Sequence, residues 1–464
     1  MGANMNIAAR VERQRVFFRS GATRPVEFRR AQLQRLADAI QAHETALSEA
    51  LHADLRRSAL DAYSAEIGFV LSEIRFSLRH LDRWMKPRRV SAPLAVWPAK
   101  ATVQPEPFGV SLIIGPWNYP VQLALLPLVG AMAAGNCAII KPSELAPQTS
   151  AVIAQLINST FAAEYLTAVE GDREIAEALL RERFDFIFFT GSTNVGRAVL
   201  AAAARHLTPT ALELGGKCPC IVCADAPVEV TARRIAWGKF INAGQTCVAP
   251  DFILVDRRVR SKLTEALARV IAGFYGTDPQ KSPDYGRIIN TRHLERLTGY
   301  LKQGRIAMGG QHDAKDLYLA PTLLEDVKPD APVMQEEIFG PILPIMEFDT
   351  LDDALDLLGD KPTPLALYLF TNDRRVQARV LASARSGGVC LNDAILHLMG
   401  RNLPFGGLGD SGLGAYHGKA SFDCFTHRRS VLARSFVVDP PMRYPPPRVS
   451  LALMKRIYRY LLGA

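Results

Sequence analysis

Residues 110–141, VSLIIGPWNYPVQLALLPLVGAMAAGNCAIIK, decide the fold class of this chain. A short apolar run at 110–114 precedes a helical pattern over Pro120–Ala134, and a second apolar run follows at Cys137–Ile140. Short apolar runs separated by a helical segment are typical of parallel strands joined by a covering helix. The stretch therefore predicts a strand–helix–strand unit of an α/β protein.

The alternation continues along the chain in two blocks, which predicts two α/β domains. The first eighty residues have helical spacing throughout. Further strands are predicted at 166–169, 184–189, 221–223, 252–255, 365–370 and 389–391, with helices from about 147 and at 175–180, 228–241 and 259–272. Residues 87–107, rich in proline, read as a crossing segment or a small hairpin outside the core layers.

Composition narrows the class of protein. The chain has 464 residues, too many for one ordinary core, and it is 48% apolar and 22% charged, as soluble globular proteins are. The net charge is +9, but lysines and arginines alternate with acids, so we expect no nucleic-acid partner. Seven cysteines, an odd number, fit a reducing compartment, and no secretory signal or membrane-spanning stretch is expected. A cytoplasmic location follows.

The segment FTGST at 189–193 joins an apolar strand to an alanine-rich helix. A glycine-bearing turn at a helix N-terminus offers free N–H groups and a positive dipole end to a phosphate. The glycines, Gly191 and Gly196, do not form the three-glycine dinucleotide pattern or a Walker loop. A plain tight turn is therefore an equally good interpretation.

Glu213 lies between two leucines in LELGGK, residues 212–217. A carboxylate in apolar surroundings has a raised pKa, which suits a general base near neutral pH. The hexapeptide alone nevertheless favours the alternative, a surface acid at a strand end.

Cys247 is the cysteine best placed to react, because it lies in the small, polar segment NAGQTCVAP at 242–250. Cys137 and Cys390 lie within apolar runs and are predicted to be core residues. The spacing of Cys218, Cys220 and Cys223 suggests zinc, but no second ligand pair is evident, so no metal is expected.

Seven segments in order resemble the aldehyde dehydrogenase superfamily. They are PWNYP (116–120), KPSE (141–144), FTGST, LELGGK, GQTC (244–247), EEIFGP (336–341) and LPFGGLGDSGLG (403–414). The short N-terminal region, AYHGKASFDCFTHRR (415–429) and RYPP (443–446) resemble the class 3 branch, which includes fatty-aldehyde dehydrogenases. Residues 218 and 137, usually Ser and Ala in the family, are Cys here.

The resemblance implies roles for three catalytic residues. Cys247 matches the nucleophile that attacks the aldehyde carbon to give a thiohemiacetal and, once hydride has left for the nicotinamide, a thioester. Asn118 matches the side-chain donor to the oxyanion, with the Cys247 amide as the second donor. Glu213 matches the base that activates water for deacylation, which argues against an acylating relative that passes the thioester to coenzyme A.

The resemblance also implies the cofactor, NAD, with NADP as a second acceptable cofactor. Lys141 and Glu144 match residues at the adenosine ribose, where the Glu144 charge favours NAD. The remaining cofactor residues implied are Trp117, Gly191, Ser192, Gly196, Glu337 and Phe339. The expected substrate is a medium- or long-chain or other apolar aldehyde, and His397 lies either at its entrance or, as the residue type favours, on the surface or in the core.

The family's fold implies a division of the chain into three parts and a tail. We expect an NAD(P)-binding domain at 1–86 and 108–211, a catalytic domain at 212–410 and a bridging, oligomerisation element at 87–107 and 411–446. The class 3 resemblance suggests a homodimer. The tail, 447–464, reads as a basic amphipathic helix that either lies on a membrane surface or packs on its own subunit. A non-catalytic binding protein is the remaining alternative, and the presence of both Cys247 and Glu213 argues against it.

Overall fold

The computed structural model describes residues 2–93, 96–359, 361–439, 444–446 and 449–461. Its α-helices are α1 (Gly2–Arg19), α2 (Val26–Ala42), α3 (Glu44–Leu55), α4 (Ala59–Ala62), α5 (Gly68–Met85), α6 (Pro120–Ala134), α7 (Pro147–Thr160), α8 (Arg173–Arg181), α9 (Thr193–Ala204), α10 (Val228–Phe240), α11 (Arg260–Tyr275), α12 (Thr291–Tyr300), α13 (Pro332–Gln335), α14 (Leu351–Gly359), α15 (Arg374–Ser383), α16 (Lys419–Cys424) and α17 (Leu451–Leu461). Its strands are β1 (Arg88–Val90), β2 (Ala99–Pro107), β3 (Val110–Ile114), β4 (Cys137–Lys141), β5 (Leu166–Ala168), β6 (Phe186–Thr190), β7 (Thr210–Glu213), β8 (Pro219–Val222), β9 (Phe252–Asp256), β10 (Arg305–Met308), β11 (His312–Asp313), β12 (Tyr318–Leu319), β13 (Thr322–Glu325), β14 (Ile342–Phe348), β15 (Ala366–Phe370), β16 (Gly388–Leu391), β17 (Gly412–Leu413) and β18 (Thr426–Arg434).

The first large sheet contains the opening strand–helix–strand unit. Its strand order is β17-β7-β6-β3-β4-β5, and every pair is parallel except β17 with β7. All five residues of β3 and of β4 are buried, because helices cover both faces of a parallel sheet. Helix α6 starts with Pro120 at its first turn and ends at Gly135, whose φ of 91° terminates it in the left-handed conformation.

The second large sheet has the order β10-β13-β14-β9-β8-β15-β16, with only β10 antiparallel to its neighbour. The sequence predicted β8, β9, β15 and β16 but not β13 or β14. Strand β14 contains Pro344, which breaks the β-strand pattern in the sequence. The predicted α/β class, with two mainly parallel sheets, is confirmed.

A third sheet joins distant parts of the chain. β1 and β2 form an antiparallel pair, so the hairpin prediction for residues 87–107 is confirmed. Nine residues of β18 then pair antiparallel with β2, from Thr426 opposite Pro107 to Arg434 opposite Ala99.

The predicted domain division stays a prediction, although the sheets bear on where it falls. The proposed boundary at residue 212 lies inside β7, and β17 from the region beyond 411 is hydrogen-bonded to β7. In the tail, the predicted helix is present as α17. Arg443 and Arg448, part of its predicted basic character, lie outside the described residues. Among the helices of the described ranges, none combines the length and apolarity needed to cross a bilayer.

Candidate active site

The segment that carries Cys247 makes a tight reversal after α10. Asn242, Ala243 and Gly244 have φ values of 52°, 51° and 74°, three successive residues in the left-handed region. A β-carbon at Gly244 would lie 2.2 Å from the carbonyl oxygen of Gly340, so the close approach requires glycine. Cys247 lies three residues beyond Gly244, the end of this reversal.

Gln245, which is fully buried, fixes this loop through both ends of its side-chain amide. Its Nε2 donates to the carbonyls of Asn242 and Arg287 at 3.0 and 2.9 Å, and its Oε1 accepts from Ile289 N–H at 3.0 Å. All of its side-chain polar atoms are therefore engaged, which makes it a structural anchor for the residue two positions before Cys247.

Asn118 lies against the same loop, as the resemblance predicted. Its side chain is buried, and Nδ2 donates to the carbonyl oxygen of Gln245 at 3.1 Å. The neighbouring Tyr119 hydroxyl is 2.8 Å from Oγ1 of Thr246. The structure therefore brings the PWNYP segment and the GQTC segment together.

Cys247 is half-buried, whereas Cys218, whose thiol donates to the Cys247 carbonyl oxygen at 3.5 Å, is buried. Burial raises the pKa of the Cys247 thiol well above its usual range, and the charges of Glu337 and Glu213 raise it further. The backbone N–H groups of Cys247 and Val248 hydrogen-bond to the sulfur and act in the opposite direction on its pKa. The sulfur thus lies within reach of two carboxylates and two amide donors.

Glu213 is only 2% exposed, and neither carboxylate oxygen has a hydrogen-bond partner among the described residues. Burial alone raises its pKa well above the ordinary value. The surface position that the hexapeptide favoured is therefore wrong: the residue does end a strand, but β17 pairs beside it, with Gly412 opposite Glu213. A buried carboxylate without a partner is costly, which is typical of a functional group.

Glu337, Phe339 and Trp117 lie near one another, at the edge of the same site. The pKa of Glu337 is raised to about 8, chiefly by burial and then by Asp251, and its Oε1 has no partner among the described residues. Phe339 has a φ of 48°, and its ring meets the ring of Trp117 edge-on at 5.3 Å.

Lys141 and Glu144 form an ion pair at the end of β4. The lysine side chain is buried, and the glutamate side chain is 42% exposed, which leaves its carboxylate accessible. The predicted ribose pair is thus assembled at the carboxyl edge of the first sheet, where ligands of α/β proteins bind.

The FTGST turn leads directly from β6 into α9, with Ser192 as the N-cap residue. A β-carbon at Gly191 would lie 2.5 Å from the Phe189 ring, and one at Gly196 would lie 2.6 Å from Leu214. Both glycines are required by close packing, so the turn is tight whether or not it binds a phosphate.

Four buried charged residues around the site were not identified from the sequence as buried. Lys217 of LELGGK donates to Asp251 at 2.5 Å, and Asp251 Oδ1 accepts from Ile338 N–H at 3.1 Å, next to Glu337. Lys239 is fully buried in α10, and Arg57 is buried beside Asn118. In a sequence, charged residues of amphipathic segments are predicted to face solvent. Their burial is therefore evident only from the three-dimensional packing.

The remaining predicted residues are His397, Cys137 and Cys390, and of these His397 packs on Tyr368, whose hydroxyl donates to the carbonyl oxygen of Val248. His397 is half-buried, with its ring 6.0 Å from that of Tyr368 and 6.3 Å from that of Phe405, and neither ring nitrogen has a partner among the described residues. Cys137 is a core residue as predicted, whereas Cys390 is only half-buried. The described residues contain no group of three side chains arranged to hold a metal ion.

Two surface cavities lie elsewhere. One, of about 290 Å³, lies beside Lys217, Pro364 and Arg385, and the other, of about 480 Å³, beside Cys223, Asp225 and Asp256. Neither is lined by Cys247 or Glu213, so the chemistry of the side chains, and not cavity size, identifies the site.

The chain is similar to known proteins over most of its length. Residues 2–431 match the aldehyde dehydrogenase family model. The chain is 46% identical to 4,4'-diaponeurosporen-aldehyde dehydrogenase of Staphylococcus aureus, over 96% of this chain and 97% of that protein. It is 48% identical to human aldehyde dehydrogenase family 3 member B1, over 94% of each, and 47% identical to mouse family 3 member A2, over 94% of this chain and 90% of that protein.

Solved structures give the same result. The substrate-bound state of Staphylococcus aureus AldH superposes with a TM-score of 0.95 at 45% identity, covering 97% of this chain and 99% of that one. The indole-3-acetaldehyde dehydrogenase of P. syringae, in complex with NAD+ and IAA, gives a TM-score of 0.84 at 26% identity, over 93% and 89%. The chain is therefore an oxidoreductase that belongs to the aldehyde dehydrogenase family and has family 3 members among its relatives.

Proposed function

We propose that this enzyme oxidises an apolar, medium- or long-chain aldehyde to the carboxylic acid with NAD, through a thioester on Cys247. The observation that carries the proposal is a half-buried Cys247 whose thiol interacts electrostatically with Glu213, a buried carboxylate without a hydrogen-bond partner among the described residues, beside a loop that the Asn118 amide contacts. Each of these groups suits one step of the reaction, and together they account for the whole of it.

The residues present fit a dinucleotide. The N-terminus of α9, with Gly191, Ser192 and Gly196, offers amide donors to the pyrophosphate. The accessible carboxylate of Glu144 and the Lys141 ammonium suit the adenosine ribose, and the orphaned Oε1 of Glu337 offers an acceptor to the ribose at the nicotinamide end, near Trp117 and Phe339. When bound, oxidised nicotinamide supplies the acceptor for the aldehyde hydrogen and its two electrons. The P. syringae relative is in complex with NAD+, and NADP remains a second acceptable cofactor because an exposed glutamate repels a 2′-phosphate only partly.

In the first half of the reaction, Cys247 forms the new bond. After the thiol proton has passed to solvent, the sulfur attacks the aldehyde carbon and the carbonyl oxygen becomes an alkoxide. The Nδ2 group of Asn118 has a second hydrogen besides the one bonded to Gln245, and the Cys247 N–H is the other donor. Loss of the aldehyde hydrogen with its electron pair then leaves a thioester on Cys247.

In the second half, Glu213 takes a proton from water. The resulting oxygen bonds to the acyl carbon, the carbon–sulfur bond breaks, and Cys247 leaves as a thiolate while the acid is released. A raised pKa makes the Glu213 carboxylate a stronger base than an exposed glutamate. This step distinguishes the proposed reaction from transfer of the acyl group to coenzyme A. In an enzyme of that kind, a base that activates water would hydrolyse the thioester before coenzyme A could accept the acyl group.

The substrate class rests on the relatives. The Staphylococcus aureus relative is named a 4,4'-diaponeurosporen-aldehyde dehydrogenase, and family 3 members are among the other relatives. A panel of aldehydes of graded length, assayed by NADH and NADPH formation, should show kcat/KM rising with chain length. Cys247→Ala should abolish turnover, and Cys137→Ala, a change at a buried cysteine of β4, should not. Wild-type turnover by Cys247→Ala would refute the nucleophile assignment.

We further propose that the segments of the first sheet bind the cofactor, those of the second carry Cys247, and the β1-β2-β18 sheet bridges two copies in a homodimer. Strand β18 is an edge strand whose side chains are mostly exposed, which fits a role in pairing. Light scattering of the purified chain tests the dimer, and a monomer at micromolar concentration would contradict it.

A second proposal concerns α17, which we assign to the surface of an anionic membrane. Leu451 and Tyr458, seven residues apart and so on one face of the helix, are 71% and 52% exposed, and Lys455, Arg456 and Arg459 are interleaved with them. Apolar residues open to solvent beside cations suit the interface of a bilayer. Deletion of residues 447–464 should abolish co-sedimentation with anionic vesicles, and unchanged binding would remove the proposal.

A further inference from the structure

Arg57 and Glu66 form an ion pair that is almost completely shielded from water. Their side chains are 1% and 0% exposed, and Nη1 of the arginine lies 2.9 Å from Oε1 of the glutamate. Burial of two charges costs more than their attraction returns unless further hydrogen bonds satisfy both groups. The other bonds of the pair therefore indicate why it is present.

The remaining nitrogens of Arg57 both reach the active-site loops. Nη2 donates to the carbonyl oxygen of Asn118 at 2.6 Å, and Nε donates to Oδ1 of Asn242 at 3.2 Å. The guanidinium plane lies 4.1 Å from the ring centre of Tyr119. A single side chain thus contacts the residue proposed as the oxyanion donor, its neighbour, and the first residue of the Cys247 reversal.

Glu66 reaches the same region from the other side. Its Oε2 accepts from the N–H groups of Val121 and Gln122 at 2.7 and 3.1 Å, in the first turn of α6. It lies in a single π-helical turn, Tyr63–Ile67, between α4 and α5, and such turns are frequent at functional sites. The carboxylate therefore fixes the start of α6, three residues after Asn118.

Direct bonds between the two loops complete the arrangement. Asn242 Nδ2 donates to the carbonyl oxygens of Asn118 and Gln245 at 2.9 and 3.1 Å. The Gln245 carbonyl also accepts from Asn118 Nδ2. The Asn118 side-chain amide is thus oriented by the Gln245 carbonyl, and Arg57 donates to two other groups of the same network, the Asn118 carbonyl and the Asn242 side chain.

We propose that Arg57, held by Glu66, is a positioning residue for oxyanion stabilisation: it fixes the backbone of Asn118 and the Asn242 side chain, so that Asn118 and the Cys247 amide converge on the substrate oxygen. This inference rests on the proposed role of Asn118. Since Arg57 acts through Asn118, its contribution to turnover exists only while Asn118 is present.

The test is a double-mutant cycle between Arg57→Lys and Asn118→Ala. Lysine keeps the charge beside Glu66, but its single nitrogen cannot occupy the three donor positions of the planar guanidinium, so kcat should fall about tenfold while KM for aldehyde and for NAD stays within about twofold. Asn118→Ala should lower kcat roughly a hundredfold, as loss of one oxyanion donor does. In the Asn118→Ala background, Arg57→Lys should cause no further loss.

The control is Arg29→Lys. Arg29 is also a buried arginine that donates to carbonyl oxygens, but these belong to Thr23 and Ala133, away from the Cys247 loop. The Arg29→Lys variant should have a lower melting temperature than the wild-type enzyme and the same kcat. If Arg57→Lys does not fold, Glu66→Gln takes its place, because glutamine keeps an acceptor for Val121 and removes only the charge.

The outcomes separate the two assignments. The positioning role is overturned if Arg57→Lys, or Glu66→Gln in its place, lowers kcat by the same factor whether residue 118 is Asn or Ala. It is also overturned if Arg57→Lys has wild-type kcat. Wild-type kcat in Asn118→Ala overturns the oxyanion assignment in the proposed function, whatever the Arg57 variant does. Both assignments are supported if Arg57→Lys lowers kcat in the wild-type background but causes no further decrease in the Asn118→Ala background.

Discussion

The N–H of Gly191 donates to the carbonyl oxygen of Glu213 at 3.0 Å. This bond joins the strand that ends in the candidate base to the turn that begins α9. The turn proposed to bind the pyrophosphate and the carboxylate proposed to activate water are therefore held to each other through the backbone. A change that moves the turn should affect both halves of the reaction.

Gly191→Ala tests this connection. The new β-carbon would lie 2.5 Å from the ring of Phe189, which is itself buried, so the ring or the turn must shift. We expect KM for NAD to rise and kcat to fall, each by roughly tenfold, because a small misplacement of reacting groups has large kinetic effects. Gly299→Ala in α12, where nothing lies within 4 Å, is the matched control and should leave both constants unchanged. A variant with raised KM and unchanged kcat would show that Glu213 is positioned independently.

Glu213→Gln should separate acylation from deacylation. The variant should release about one NADH per Cys247 in a rapid burst and then turn over roughly 10²- to 10⁴-fold more slowly, the usual contribution of a general base. Mass spectrometry during turnover should find the acyl group on the peptide that contains Cys247. A variant without a burst, slowed equally in the first turnover, would contradict the assignment of Glu213 to deacylation.

The wild-type enzyme should show the titration of Glu213 in its deacylation rate. Only the ionised carboxylate accepts a proton, and burial raises its pKa well above the ordinary glutamate value. The single-turnover deacylation rate should therefore increase as the pH rises through that raised pKa, and this increase should be absent in Glu213→Gln. A rate that is flat from pH 5 to pH 9 would be incompatible with the assignment.

Glu144→Gln should shift the cofactor preference towards NADP. The carboxylate, accessible beside Lys141, would repel a 2′-phosphate, and glutamine keeps its shape without its charge. We expect the ratio of kcat/KM for NADP to that for NAD to rise roughly tenfold, since an exposed charge has a screened effect. Glu170→Gln, at an exposed glutamate beyond β5, serves as the control. An unchanged ratio would place the 2′-position of the ribose away from Glu144.

The elements that the sequence predicts well are those whose signal is local. The apolar run of β3 and the periodicity of α6 have the predicted bounds, because Gly109, Pro120 and Gly135 mark their ends. Strand β14 was missed because Pro344 interrupts an otherwise suitable run, and β17 because two residues give no pattern. Both are stabilised by strands far away in the sequence, which no local pattern reports.

Prediction of the candidate site is limited in the same way, because local sequence does not report contacts between distant segments. Cys247 and Asn118 could be predicted from short motifs that resemble a family, but the burial of Glu213 depends on β17, about two hundred residues later. Arg57 and Glu66 lie in a helical region rich in charge, where a charged residue normally faces water. Their role becomes evident only once α6 and the Cys247 loop are packed against them.

Lys239 provides a prediction about stability that does not depend on the reaction. It is fully buried, and its Nζ has no hydrogen-bond partner among the described residues. Burial lowers its pKa from 10.5 to about 8, although the charges of Asp251 and Glu337 partly oppose the shift. At pH 7 the folded protein therefore keeps an ammonium that it accommodates poorly, at a cost of about 3 kcal/mol.

Lys239→Met should remove that cost, and the pH dependence of its effect follows from the two pKa values. Between about pH 8 and 10.5 the unfolded chain still binds the proton that the folded chain has lost, so wild-type stability rises with pH relative to the variant. Below pH 8 both states are protonated, and the advantage of the variant, up to about 3 kcal/mol, should be constant. Urea unfolding at pH 7 and pH 10 measures both values, with Lys262→Met, at an exposed lysine of α11, as the control. A variant that is less stable than wild type at pH 7 would mean that the ammonium makes a favourable interaction and that its pKa is not lowered by burial.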